Sequence, residues 1–174
     1  MAITFARAQT SVYNSASSPC QVTFGSTPTE GNLLVVVAAE RSGGDADDWT
    51  ISGSGWTKRI AHNKEITDST WRFAMAVWTK VAGASEPSSI SVSDTSGTVN
   101  VYAQEFEAGE SVTWTHEDST SSDNGQVTGD TDGHSVTSGS VGAGDLLALG
   151  CGEVKENDYG STQVWVWSGD VENS

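Results

Sequence analysis

Leu33-Leu34-Val35-Val36-Val37-Ala38-Ala39 is the stretch whose reading decides the fold. Thr27-Pro28-Thr29-Glu30-Gly31-Asn32 leads into it, and Glu40-Arg41-Ser42-Gly43-Gly44 follows. Pro28 and Gly31 punctuate the entry, and the Gly pair marks the exit. Seven apolar residues, three of them β-branched, between turn signals predict a strand buried on both faces rather than a helix. A related phrase returns late in the chain, where Gly144-Asp145-Leu146-Leu147-Ala148-Leu149 echoes Gly31-Asn32-Leu33-Leu34-Val35-Val36. The lead-ins also match, Val22-Thr23-Phe24-Gly25 against Val136-Thr137-Ser138-Gly139. The expectation is two matched hairpins supplying two central strands of one sandwich.

Outward from that run, the chain reads as short strands and turns. Strands are expected at 2–8, 20–25, 49–51, 56–61, 70–81, 88–93, 99–106 and 162–167. Tyr13 to Pro19 reads as a polar loop. In the strand from Thr70 to Val81, Phe73, Met75, Val77 and Val81 are expected to face the core. Arg72, Ala74, Ala76, Trp78 and Lys80 then form a surface or a contact between subunits. No helical stripe is visible, and 19 glycines with abundant Ser and Thr suit strands joined by turns. A flat sheet of about ten strands would curl or split. The predicted fold class is therefore all-β: a two-sheet antiparallel β-sandwich, jelly-roll-like, of about ten strands. One domain spanning 1–174 is expected, with a long acidic loop at about 108–133.

Charge is the strongest compositional fact. The chain carries 23 Asp plus Glu against 8 Lys plus Arg, a net charge of −15. Residues 1–109 hold 11 acids and 7 bases, whereas 110–174 hold 12 acids and Lys155 alone. Such a surface repels phosphate backbones, so nucleic acid is not an expected partner. The acids are scattered over loops rather than clustered, which favours adaptation to high salt over an acidic docking site. No segment reaches the ~18 apolar residues of a membrane span. The N-terminus alternates like a strand rather than resembling a signal segment, so a soluble, unprocessed chain is expected.

Candidate chemistry is sparse. Cys20 and Cys151 lack metal-binding spacing and read as small buried residues, with a single bridge between them the alternative. His62, His116 and His134 show no HxxxH or HExxH pattern. Glu105 and Glu107 alternate onto one strand face and Asp47 and Asp48 share a loop, but neither pair is placed across a cleft. No GxSxG elbow is present. Asp123-Asn124-Gly125 and Asp130-Thr131-Asp132-Gly133 put hard oxygen ligands beside glycines. Asp130 and Asp132 are thus the ligands a Ca2+ ion would take, although Asp-Gly is first a turn signal and no cofactor is expected. Seven tryptophans raise the question of contact surfaces. Trp165 and Trp167 are candidates because Val164 and Val166 can supply the inward face, and Trp78 joins them.

The phrases Gly31-Asn32-Leu33-Leu34-Val35-Val36-Val37, Gly55-Trp56-Thr57, Val77-Trp78-Thr79-Lys80-Val81-Ala82-Gly83-Ala84-Ser85-Glu86-Pro87 and Gln104-Glu105-Phe106 occur in this order. With the returning Gly144-Asp145-Leu146-Leu147, they resemble a jelly-roll domain of virion proteins of tailed bacterial and archaeal viruses. The resemblance implies a non-enzymatic tail, fibre, baseplate or capsid-surface component located in the virion. Its partners would be other copies of itself and other virion proteins. It implies neither nucleic-acid binding nor membrane insertion. A receptor- or carbohydrate-binding adhesion module, directed to a host-surface glycan or protein, is the alternative. The acid excess would suit a halophilic archaeal host.

If the acids are a salt adaptation, the thermal unfolding midpoint rises as NaCl increases into the molar range. Differential scanning calorimetry checks this, and a flat or falling midpoint counts against the salt reading.

Overall fold

The computed structural model describes residues 5–7, 9, 12–42, 44–65, 72–93 and 97–108, and the short segments 147–150, 153–154, 162–163 and 167–170. In chain order the strands are β1 (Phe5–Arg7), β2 (Val12–Ser17), β3 (Cys20–Thr23), β4 (Leu33–Ser42), β5 (Thr50–Ile51), β6 (Thr57–Glu65) and β7 (Arg72–Val81). There follow β8 (Ser89–Ser93), β9 (Thr98–Ala108), β10 (Leu147–Gly150), β11 (Glu153–Val154), β12 (Thr162–Gln163) and β13 (Trp167–Asp170). Among the described residues there is no helix. The larger antiparallel sheet has the order β1-β9-β4-β7-β6, with β2 also on β9, and the smaller has the order β3-β8-β5.

β4 is central, with β7 on one side and β9 on the other. Its sequence dictates this place. Leu34, Val36 and Ala38 face the smaller sheet, while Val35, Val37 and Ala39 belong to a second cluster on the opposite side. Only a strand covered on both faces tolerates such an unbroken apolar run. The strand also runs on through Glu40, which is fully buried, to Ser42. The strand thus ends just before the Gly pair, because pairing with β7 carries the ladder past the apolar residues.

The register lays the inward face out in rows. Lys80, Leu34 and Glu105 form one row, followed by Lys58, Trp78, Val36, Ala103 and Val12. Ala61, Ala76, Ala38, Val101 and Asn14 come next, then Asn63, Ala74 and Glu40. The centres of the two middle rows are apolar, and polar groups lie in the outer rows and at the row ends, Lys58 and Asn14. Cys20, Val22, Phe24, Ile90 and Val92 of the smaller sheet and its flank close over the middle, with Trp49 and Ala46. Small alanines opposite large indoles allow two sheets to approach closely. Burial keeps the Cys20 thiol above its ordinary pKa, against hydrogen bonds from the Ala16 and Val101 backbone, and Cys20 is a free thiol.

Both faces of β7 are packed, whereas the sequence expectation gave it one core face and one surface. Ala74, Ala76 and Trp78 lie in the inter-sheet core, with Trp78 only 2% exposed. Met75 and Val77 lie in the outer cluster, and Val81 is 48% exposed. Size misled the reading: the alanines are the tightly packed side, and the Lys80 ammonium beside them reaches out to Glu86. Trp78 is therefore a core residue, not a contact surface.

Tyr13 to Ser17 is also corrected, from loop to strand. β2 pairs with β9 from Val12↔Ala103 to Ser17↔Thr98. Its small polar side chains conceal a period of two, and β9 supplies the partner that overrides weak intrinsic propensity. The echo of the central run does not enter the larger sheet. Leu147–Gly150 pairs with Trp167–Asp170 in a separate two-stranded sheet, and β11 pairs with β12. All of the expected acidic loop beyond Ala108 lies outside the described residues.

Trp78→Ala should lower unfolding free energy by about 3–5 kcal/mol, and Val81→Ala by no more than about 0.5 kcal/mol. Urea denaturation of the two variants separates this assignment of faces from its reverse.

Candidate functional site

Two polar clusters border the inter-sheet core. The first is built on Glu105, which β9 places beside Leu34 and which is 1% exposed. Its Oε1 accepts the Thr29 backbone N–H and the Asn32 Nδ2–H, each at 2.7 Å, and Oε2 accepts a hydrogen bond from Gln9 Nε2. The sequence folds this way locally because Gly31 takes a φ of 90°, closing a turn in which Asn32 N–H donates to Thr29 O. The Gly31 and Ala82 amides then tie that turn to the 82 loop, donating to Ala82 O and Asn32 O. One buried carboxylate thus holds the N-terminal segment and the entry to β4. Glu107, on the same side of β9, is exposed.

Beside it, Lys80 Nζ donates to Glu86 Oε1 at 2.7 Å, and Glu86 Oε2 accepts the Gly83 N–H. The Lys80 ammonium also lies 5.7 Å from the Trp56 ring centroid. Its stem passes Gly55, where a Cβ would stand 3.4 Å from Cε and where φ is 85°. Trp56 itself donates from Nε1 to Ser52 O.

The second cluster is the acidic loop after β4. Asn63 of β6 accepts the Ala46 N–H and donates from Nδ2 to Asp45 Oδ1 and Asp47 Oδ2. Lys58 Nζ donates to Ala46 O at 2.9 Å and Asp47 O at 2.8 Å, and lies 5.6 Å from the Trp78 ring. Partial burial lowers the Lys58 pKa, opposed by the charges of Asp47, Asp48 and Asp45. The loop's carbonyls and carboxylates therefore surround a cation that the chain supplies itself. Among the described residues no group of three or more His, Cys, Asp or Glu converges as a metal site.

The sequence-derived candidates are not brought together. Trp78 is in the core, and Trp167 belongs to β13, in register with Gly150. Trp165, Asp130 and Asp132 lie outside the described residues, as do His116 and His134. His62 lies on β6 and is partly buried. The residues that organise both clusters, Gln9, Asn32, Lys58 and Asn63, drew no attention in the sequence. Lys58 carried the one usable signal: a lysine following Trp56-Thr57, in a chain with few cations.

These arrangements define a class: over its described residues the chain is all-β, with its two largest antiparallel sheets packed in a sandwich-like manner and polar clusters that fasten loops. Comparison with models of known protein families, with curated proteins and with solved structures found no match.

Glu105→Gln replaces an acceptor-only carboxylate with a group that presents N–H to other N–H donors. It should cost about 1.5–3 kcal/mol in urea denaturation. Hydrogen exchange of the Thr29 amide should accelerate beyond that of the β7 amides.

Proposed function

We propose that this chain is a non-enzymatic structural component of a viral particle, a tail, fibre or capsid-surface subunit. In this reading the two packed sheets are part of a jelly-roll-like sandwich of about ten strands. The subunit assembles with copies of itself and with other virion proteins through its sheet faces. The observation that carries the reading is how the chain uses its buried polar side chains. Glu105, Glu86, Lys58 and Asn63 are spent on fastening loops to strands. That is how a durable scaffold uses polar groups, whereas a reaction centre keeps acid and base groups accessible to substrate.

The outward face of the smaller sheet offers a surface for such assembly. Gln21, Thr23 and Thr50 are exposed, and Ser89 and Ser91 are partly so. Thr23 and Ser89 hydroxyls are 2.9 Å apart, and Ser91 N–H donates to Ser52 Oγ. A polar, regular face suits a subunit that stays soluble before it assembles. The acid excess extends the reading to a particle that works in high salt, where dense carboxylates hold water and counterions at the surface.

Sedimentation velocity in molar NaCl tests the proposal. A defined homo-oligomer whose formation is blocked by Thr23→Arg or Ser91→Arg is expected. A monomer at all concentrations that is retained on a glycan array overturns it in favour of an adhesion module.

A further inference from the structure

The outer face of the larger sheet is buried, although every described residue of its apolar cluster comes from that sheet. Val35, Val37, Ala39, Met75 and Phe106 are no more than 8% exposed, with Leu33, Ile60 and Val77 packed against them. They belong to β4, β6, β7 and β9. One face of one sheet cannot hide itself, because its side chains project side by side from the pleat. Another part of the molecule must therefore lie over it, and the smaller sheet is on the opposite side.

Two observations say what lies there. The backbone of Thr162–Gln163 comes within 8 Å of that of β4, whose in-plane neighbours are already β7 and β9. Gln104, in register with Val35 and 2% exposed, carries the second. Its Nε2 donates to Gln9 O at 2.9 Å and to Glu105 O at 2.8 Å, which fixes the orientation of the amide. Its Oε1 is buried with no hydrogen-bond donor. The face thus combines an apolar stripe with one acceptor that calls for an N–H or O–H group.

We propose that this face is the seat of the chain's own C-terminal strand β12, Thr162–Gln163. Thr162-Gln163-Val164-Trp165-Val166-Trp167 has the required composition, alternating β-branched residues with indoles that carry an N–H. β12 closes part of a third layer over β4 and removes the sheet's outer apolar face from contact with a partner. This inference does not depend on the proposed function.

Met75 is a native reporter, since Met1 is the only other methionine. The full chain is treated with hydrogen peroxide and sulfoxide formation is followed by peptide mass spectrometry. Met75 should oxidise about tenfold or more slowly than Met1, at a rate independent of protein concentration. Val164→Asp/Val166→Asp or Trp165→Asp/Trp167→Asp should raise the Met75 rate toward that of Met1. Cys20 should stay resistant to iodoacetamide, reporting an intact inter-sheet core. Where the aspartates unfold the chain, Val164→Ser/Val166→Ser and Trp165→Ser/Trp167→Ser are read in the same way. Rapid oxidation of Met75 in the unaltered protein overturns the proposal, because the face is then open. Protection that fades on dilution also overturns it, because the cover is then a second copy. Protection unchanged in both pairs of variants overturns it as well, because another segment is then the cover.

Discussion

The structure depends on one strand being covered on both faces. β4 places Leu34, Val36 and Ala38 in one cluster and Val35, Val37 and Ala39 in another. Burial of each Leu or Val contributes about 1.5–3 kcal/mol, so this strand anchors two layers at once. The same symmetry creates a difficulty. A strand apolar on both sides gains little from hydrophobicity alone in choosing between registers one residue apart. The polar ends resolve it. Glu40 must reach its buried position beside Ala74, and Leu34 must lie between Lys80 and Glu105. A slip of one residue would turn Glu40 toward the other face and move the turn at Asn32 away from Glu105.

Buried polar groups therefore set position here more than they add stability. A carboxylate taken out of water is costly unless its lone pairs are met. Glu105 meets that demand with donors from Gln9, Thr29 and Asn32, which lie far from it in sequence. Each of these segments is consequently located by one residue of β9. Lys58 acts in the same way on the acidic loop, where its ammonium holds the carbonyls of Ala46 and Asp47. Trp49 is a site where the demand is not met: its Nε1 is buried without an acceptor. The bulk it supplies to the core offsets a lost hydrogen bond of about 1–3 kcal/mol.

The fold was legible where side-chain chemistry and period agreed. The apolar run of β4, the alternation of β8 and β9, and the turns around Gly31 and Gly55 could all be read locally. β2 could not, because Tyr13-Asn14-Ser15-Ala16-Ser17 becomes a strand only when β9 offers its free edge. The faces of β7 were misread for a related reason. Hydrophobicity ranks Met75 and Val77 above Ala74 and Ala76, but close packing between sheets selects for small size beside Trp78. The polar clusters were illegible in principle. Glu105 and Asn32 are separated by most of the described chain, and only the register brings them within 2.7 Å. Acidic residues are so common in this sequence that no single one could be singled out as buried.

The few cations are used in a way that bears on the acid excess. Three basic side chains are described in detail, and all are turned to the scaffold. Lys58 bonds two carbonyls, Arg59 donates from Nε to Thr79 Oγ1, and Lys80 pairs with Glu86. Lys58 also lies among the charges of Asp45, Asp47 and Asp48, but its hydrogen bonds, like those of the other two, go to the scaffold. With 23 acidic side chains against 8 basic ones, most of the acids have no basic side chain to pair with and are screened by solvent cations. The bonds of Lys58 and Lys80 are short-range contacts, which salt weakens little. The long-range repulsion among the acids, by contrast, is relieved as salt rises. The same division of labour supports the proposal of a subunit suited to concentrated salt, because its stabilising and destabilising charges respond to ionic strength in opposite degrees.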